Sequence, residues 1–317
     1  MNRNFDVAAL GEAMLEFNQT ERGQPRYLQG FGGDTSNVAI AAVRAGARAA
    51  YISRIGSDSF GDRLLELWTT EGVNTQAVER DAVAPTGIYF VTHGASGHEF
   101  SYLRAGSAAS CMTPTWLREG QAGRSIASTK FLHVSAISLA ISTSACDTVF
   151  AAMRLAREAG TQVAFDSNLR LKLWPLDRAR ACIQQALALC DVFLPSMEDV
   201  TALTGLSEPD AVADWAHALG APTVVLKLGG DGVLVSAPGE RRRIAAHKVP
   251  LLDATGAGDC FCGNLLAQLA AGATLFDAAC YANAAAALAV QGYGAVAPLP
   301  RPQQVQALLR ASAQALP

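Results

Sequence analysis

The run Phe131-Leu-His-Val134, a helical stretch over residues 144–159 and then Gln162-Val-Ala-Phe165 set the reading of this chain. Each short run is nearly continuous in apolar residues, the pattern of a strand covered on both faces. The pattern repeats. A helix over about 177–189 follows, then the strand Asp191-Val-Phe-Leu194. Helices near 198–203 and 210–219 lead to the strand Thr223-Val-Val-Leu-Lys-Leu228. Such units join parallel neighbours through crossovers, so an α/β fold with a mostly parallel sheet between helix layers is expected. The N-terminal third reads differently. Short extended candidates at 12–17, 26–30, 87–92 and 99–104 are flanked by Gly, Pro or Asn. His93-Gly-Ala-Ser-Gly97 reads as a hairpin connection, and a helix over 37–45, closed by Gly46, interrupts the set. These pieces predict a small β lid, from segments about 12–30 and 87–104, on one continuous domain spanning 1–317.

Composition narrows the function classes. The 317 residues are 50% hydrophobic and 17% charged, which suits a globular protein with a large core. A net charge of −3 gives no reason to expect nucleic acid as a partner. The start reads as no signal peptide, and the Ala-rich run over 278–290 is too short to span a bilayer. Seven cysteines at irregular spacings, with no Cys-x-x-Cys pair, argue against a disulfide framework or zinc site. A reducing cytoplasm is the expected compartment.

Two glycine-rich runs carry the chemistry. The first is Asp253-Ala-Thr-Gly-Ala-Gly-Asp259, ahead of an apolar helical stripe of Phe261, Leu265, Leu266 and Leu269. Small residues at a helix start leave N–H groups open to a phosphate or a developing negative charge. A carboxylate there can take a proton from an attacking hydroxyl. Local physics allows equally a first-turn Asp that only complements the helix dipole. The second run, Gly30-Phe-Gly-Gly-Asp-Thr-Ser-Asn37, opens a helix, and its Asp34, Ser36 and Asn37 suit either sugar hydroxyls or ordinary capping. No Gly-Lys dipeptide occurs, so this is no Walker A loop. No strand–GxGxxG–helix arrangement supports a dehydrogenase.

Together the two runs resemble the ribokinase-like (PfkB) carbohydrate kinases. The resemblance extends to Arg54-Ile-Gly-Ser-Asp58 with Gly61, to Leu226-Lys-Leu-Gly-Gly-Asp-Gly232, and to the Ala-rich helix carrying Asn283. It implies a three-layer ribokinase-like fold, a central mostly parallel sheet with a β lid. It implies ATP-dependent transfer with Mg²⁺, held largely by phosphates and water. By the resemblance Asp259 is the general base, and Gly256, Ala257 and Gly258 line the anion hole for the transferring phosphoryl. Gly32, Gly33 and Asn37 fall on the sugar loop. Asn168, Ser196, Lys227, Gly229, Gly230, Gly232, Gly256, Gly258 and Asn283 fall on the nucleotide side. Ala254 departs from the family pattern. Ser196-Met-Glu-Asp199 keeps an acid but loses an amide of the metal-linked motif, so no direct metal ligand is assigned.

Within that family the chain most resembles the 2-keto-3-deoxygluconate kinases, through Tyr102-Leu-Arg-Ala-Gly-Ser-Ala-Ala109 and Phe165-Asp-Ser-Asn-Leu-Arg170-Leu-Lys-Leu-Trp174. This implies an acid sugar met by Arg170, Arg104, Tyr89 and Tyr102. Guanidinium suits a carboxylate, and tyrosines offer hydroxyls and flat surfaces. The blander readings are a phosphate-binding or surface Arg170, lid-packing tyrosines and a packing Trp174. A fructokinase or other neutral-sugar kinase is the alternative, and a silent sugar- or nucleotide-binding protein a more distant one. Exposed lid edges predict a homo-oligomer formed through the lid.

Overall fold

The computed structural model describes residues 3–94 and 97–314; Ala95 and Ser96, at the tip of the expected hairpin, lie outside the described residues. From the N-terminus run β1 (Phe5–Leu10), β2 (Met14–Gln19), β3 (Tyr27–Gly32), α1 (Asp34–Arg44), β4 (Ala49–Gly56), α2 (Ser59–Glu71), β5 (Asn74–Asp81), β6 (Ile88–Gly94) and β7 (Gly97–Leu103). Then come α3 (Pro114–Glu119), α4 (Gln121–Ala127), β8 (Thr129–Ser135), α5 (Ala136–Ala140), α6 (Thr143–Glu158), β9 (Gln162–Asp166), α7 (Leu176–Leu187), β10 (Val192–Phe193), α8 (Met197–Thr204) and α9 (Pro209–Ala218). The last third holds β11 (Thr223–Lys227), β12 (Val233–Ala237), β13 (Glu240–Ile244), α10 (Ala257–Ala270), α11 (Leu275–Ala289) and α12 (Pro302–Gln314).

A nine-stranded sheet has the order β13-β12-β11-β10-β9-β8-β1-β4-β5. Neighbours from β11 to β5 pair parallel, while β12 and β13 add antiparallel. A separate four-stranded sheet, β3-β2-β6-β7, occupies the expected lid segments. The N-terminal third departs from the expected small β element. The N-terminal third also supplies β1, β4 and β5 to the main sheet. β5 is a mostly polar edge strand, whereas the β1 and β4 runs Val7-Ala-Ala-Leu10 and Ala49-Ala-Tyr-Ile52 are rich in Ala, which has little strand preference of its own. Burial from both sides, not local propensity, selects them.

Alternation along β1 shows the layering. Ala8 and Leu10 join a core with Leu132, Val134 and Val163, Val7 joins Val38, Phe131 and Leu265, and Ala9 joins Ile40 and Tyr51. Successive residues therefore feed helix layers on opposite faces. Each fully buried Leu or Ile contributes roughly 1.5–3 kcal/mol.

One contact fixes the later geometry. A Cβ added at Gly263 of α10 would lie 2.5 Å from the Val38 carbonyl oxygen and 2.6 Å from Ala41 Cβ, both on α1. The two helices cross with only hydrogen between their backbones. Gly263→Val is expected to lower stability by about 1–3 kcal/mol through overpacking. Urea denaturation checks this, and an unchanged midpoint would contradict the close crossing.

Candidate active site

The carboxyl ends of β1, β9, β10 and β11 open onto a cleft of about 980 Å³, lined also by Gly32, Tyr89, Phe100 and Tyr102 from the lid. Parallel sheets bind ligands at this edge, because the loops leaving each strand and the following helix N-termini converge there.

Asp259 stands in the first turn of α10 and is 9% exposed. Gly256 caps that helix at φ 73°, a left-handed conformation with Ala295 packed against it, so a side chain there would be strained twice over. The loop before it is tied down by Asp253. Its Oδ1 accepts from the Thr255 N–H at 2.9 Å and the Thr255 hydroxyl at 2.6 Å, and its Oδ2 accepts from the Gly294 N–H at 2.8 Å. Asn37 Nδ2, on α1, donates to Asp259 Oδ2 at 2.8 Å. Burial pushes the Asp259 pKa up to about 7; the Asp34 and Asp166 carboxylates add to the rise, while Asn37 and Lys227 oppose it. The group is thus poised to exchange a proton near neutrality. One of the expected anion-hole donors is engaged within the loop. The Ala257 N–H donates to the Ala254 carbonyl at 3.1 Å, closing a turn, and Cys260 N–H begins the helical ladder on Gly256. The first-turn donors left over are those of Gly258 and Asp259.

Next to Asp259 lies a buried ionic network. Lys227, the last residue of β11, places Nζ at 3.0 and 2.9 Å from the two oxygens of Asp166, the last residue of β9. Burial alone would depress the ammonium, but the Asp166 carboxylate outweighs it and keeps Lys227 charged. Asn168 Nδ2 donates to Asp34 Oδ2 at 2.8 Å, and the Ser167 hydroxyl donates to Asp199 Oδ2 at 2.8 Å. Burial and then the charge of Asp166 raise the Asp199 pKa. Ser196 caps α8, its hydroxyl accepting from the Asp199 N–H at 3.1 Å.

At the lid root Glu12 and Arg104 form an ion pair whose side chains are 1% and 10% exposed. Arg104 Nε donates to Glu12 Oε2 at 2.7 Å, and the Ser107 hydroxyl donates to Oε1 at 2.5 Å. Removing one partner of such a pair typically costs about 3–5 kcal/mol. The Tyr89 hydroxyl donates to Glu16 Oε2 at 2.5 Å, and burial together with the Glu16 charge keeps the phenol protonated. The Tyr89 and Tyr102 rings lie 5.5 Å apart, centre to centre. Arg170 is exposed at the cleft wall, with Nη1 donating to its neighbour's carbonyl, Leu169 O, at 2.8 Å.

The cleft brings together Gly32, Gly33, Asn37, Tyr89, Tyr102, Arg104, Asn168, Arg170, Ser196, Lys227, Gly229, Gly256, Gly258 and Asp259. Ala257, Gly230, Gly232 and Asn283 are not among its lining residues. Asn283 is 8% exposed and donates to the Ala245 carbonyl at 2.8 Å, so its amide is engaged in holding the chain before α10. Ser36 is likewise committed, accepting from Trp68 Nε1 at 2.8 Å inside the core. Trp174, 4% exposed, packs in the main core. Glu12 and Asp166 were not singled out from sequence. A charged residue at or just beyond the carboxyl end of a buried strand is the signal that marks both.

A model described as the pfkB family carbohydrate kinases matches residues 4–302. The 2-dehydro-3-deoxygluconokinase of Thermoproteus tenax is 35% identical, over 97% of this chain and 95% of its own. That of Escherichia coli (strain K12) is 32% identical, over 92% and 97%. Among solved structures, fructokinase from Vibrio cholerae O395 with fructose, ADP and calcium ion bound superposes with a TM-score of 0.84 at 31% identity, covering 96% of this chain and 98% of that one.

The Asp259 shift makes stability depend on pH. Its carboxyl moves from an ordinary 3.8 to about 7 in the folded chain. Between those values the folded state binds more protons than the unfolded one, so stability falls as pH rises through that window. Asp259→Asn removes the fall. The variant is expected to gain roughly 2 kcal/mol more, relative to the parent, at pH 8 than at pH 5. Urea denaturation at both pH values measures it; an equal effect at both would contradict the shift.

Proposed function

We propose that this chain, which belongs to the pfkB family of carbohydrate kinases, transfers the γ-phosphoryl group of ATP to the terminal hydroxyl of 2-keto-3-deoxygluconate, giving the 6-phosphate. The observation that carries the reading is the buried Asp259 carboxylate, held by Asn37 at the start of α10 and facing a cleft that holds both lid tyrosines and Arg170.

In this reading Asp259 removes the proton of the attacking hydroxyl, and its near-neutral pKa suits the task. The N–H groups of Gly258 and Asp259, at the positive end of α10, stabilise charge on the transferring group. Lys227, held by Asp166 in a buried ion pair, also lines this wall. Asn168, Ser196 and Gly229 line the nucleotide side, and Gly230, Gly232 and Asn283 shape the backbone behind it. Among the described residues no group of three or more His, Cys, Asp or Glu side chains could hold a metal ion. Mg²⁺ would be held largely by the phosphates and water, with Glu198 and Asp199 the acids at hand on that wall. On the sugar side Gly32, Gly33 and Asn37 meet hydroxyls, Tyr89 and Tyr102 cover the carbon chain, and Arg170 meets the carboxylate. Arg104, tied to Glu12, shapes the pocket wall.

That tie also favours a second reading, phosphorylation of a neutral sugar such as fructose. Glu12 neutralises one of the two arginines an acid sugar would use. An ADP-release assay on 2-keto-3-deoxygluconate, fructose and ribose separates the readings. The expected result is turnover of the acid sugar, with Arg170→Ala raising its KM at least tenfold. Turnover of fructose alone would overturn the acid-sugar assignment and leave the kinase.

The lid carries the oligomer reading. Leu28 and Leu103 are 67% and 62% exposed, with Phe100 and Tyr102 also exposed, and β3 and β7 are open sheet edges. A second copy of the chain covering these edges gives a homodimer. No helix among the described residues is long and apolar enough to cross a membrane, and the reading places the enzyme in the cytoplasm, where ATP is. Sedimentation is expected to give a dimer at micromolar concentration, and a monomer there would overturn the lid contact.

A further inference from the structure

The charges of the cleft are unevenly paired. Glu12 holds Arg104, and Asp166 holds Lys227. The remaining cations on its walls are Arg170 and Lys172, and among the described residues neither has an ion-pair partner. Both stand on the loop that leaves β9, and the loop is built to present them. Leu169 and Trp174, 7% and 4% exposed, anchor its two ends in the main core. Between them the Leu173 N–H donates to the Arg170 carbonyl at 2.9 Å, closing a turn with Leu171 and Lys172 at its corner. Arg170, Leu171 and Lys172 are all exposed, and all line the cleft. A turn held at both ends thus projects two unneutralised cations into a site otherwise crowded with acids: Asp34, Glu198, Asp199 and Asp259.

We propose that Lys172 is a specificity-determining residue that completes, with Arg170, a two-cation receptor for the carboxylate of the sugar acid. The inference rests on the acid-sugar reading above and moves the second positive charge from the neutralised Arg104 to Lys172. The guanidinium supplies paired hydrogen bonds, and the ammonium supplies a point charge that needs no fixed orientation. Phosphate is the other anion that will enter the cleft, but it has its own donors in the first-turn N–H groups of α10, at that helix's positive end. The two lobes of positive charge therefore sort two anions, which gives preference for an acid sugar without a gain for a neutral one.

The test is steady-state kinetics of the full chain and of Lys172→Met and Lys172→Arg, with KM read separately for 2-keto-3-deoxygluconate, fructose and ATP. Lys172→Met is expected to raise KM for the acid sugar about tenfold, to shift KM for ATP less than twofold, and to narrow the preference for acid over neutral sugar. Lys172→Arg is expected to keep KM for the acid sugar within threefold of the parent. An acid-sugar KM unmoved in Lys172→Met, or a rise confined to ATP, overturns the receptor while leaving the acid-sugar reading in place. An unmutated enzyme inactive on the acid sugar shows instead that the reading itself fails, and the receptor with it. Circular dichroism and urea midpoints of the variants confirm that a changed KM is not a folding defect.

Discussion

The hydrogen bond from Asn37 to Asp259 is the contact on which the site depends. It spans 222 residues of sequence and joins the first turns of two helices. α1 and α10 meet because Gly263 removes the one Cβ that would keep their backbones apart. Both helices begin at the carboxyl edge of the sheet, so their positive ends face the same cleft. The same arrangement that removes water from Asp259, and so raises its pKa, also aims two free N–H groups at the space in front of it. Packing and chemistry come from one crossing.

Charge in the cleft is distributed by burial. Lys227 remains protonated despite burial because Asp166 lies within hydrogen-bond reach of it. Asp199 and Asp259 sit near other acids and away from solvent, so their protons are held more tightly. Arg104, expected at the substrate, lines the cleft while paired with Glu12, and a pair so deeply buried is not easily opened. What remains available to an incoming anion is set by which cations the fold has not already used.

Much of this was legible in the sequence. The apolar runs of β8, β9 and β11 identified an α/β sheet, and the glycine-rich approach to Asp259 marked a helix start suited to negative charge. Local patterns failed where tertiary structure made the choice. β1 and β4 are Ala-rich, and only burial on both faces makes them strands. Asn283 and Ser36 carry ligand-like side chains, yet each is spent inside the fold, on Ala245 and on Trp68. Ala257 seemed an open donor until its N–H closed onto Ala254. Pairings such as Glu12 with Arg104, 92 residues apart, leave no local trace.

The central claim is that Asp259 performs the proton transfer that lets a sugar hydroxyl attack. Rapid-quench single turnover with Asp259→Asn tests it most directly, with ATP affinity measured in parallel. The account predicts phosphoryl transfer slowed by about 10²–10⁴-fold with ATP binding retained. Transfer within tenfold of the parent rate would show that some other group takes the proton.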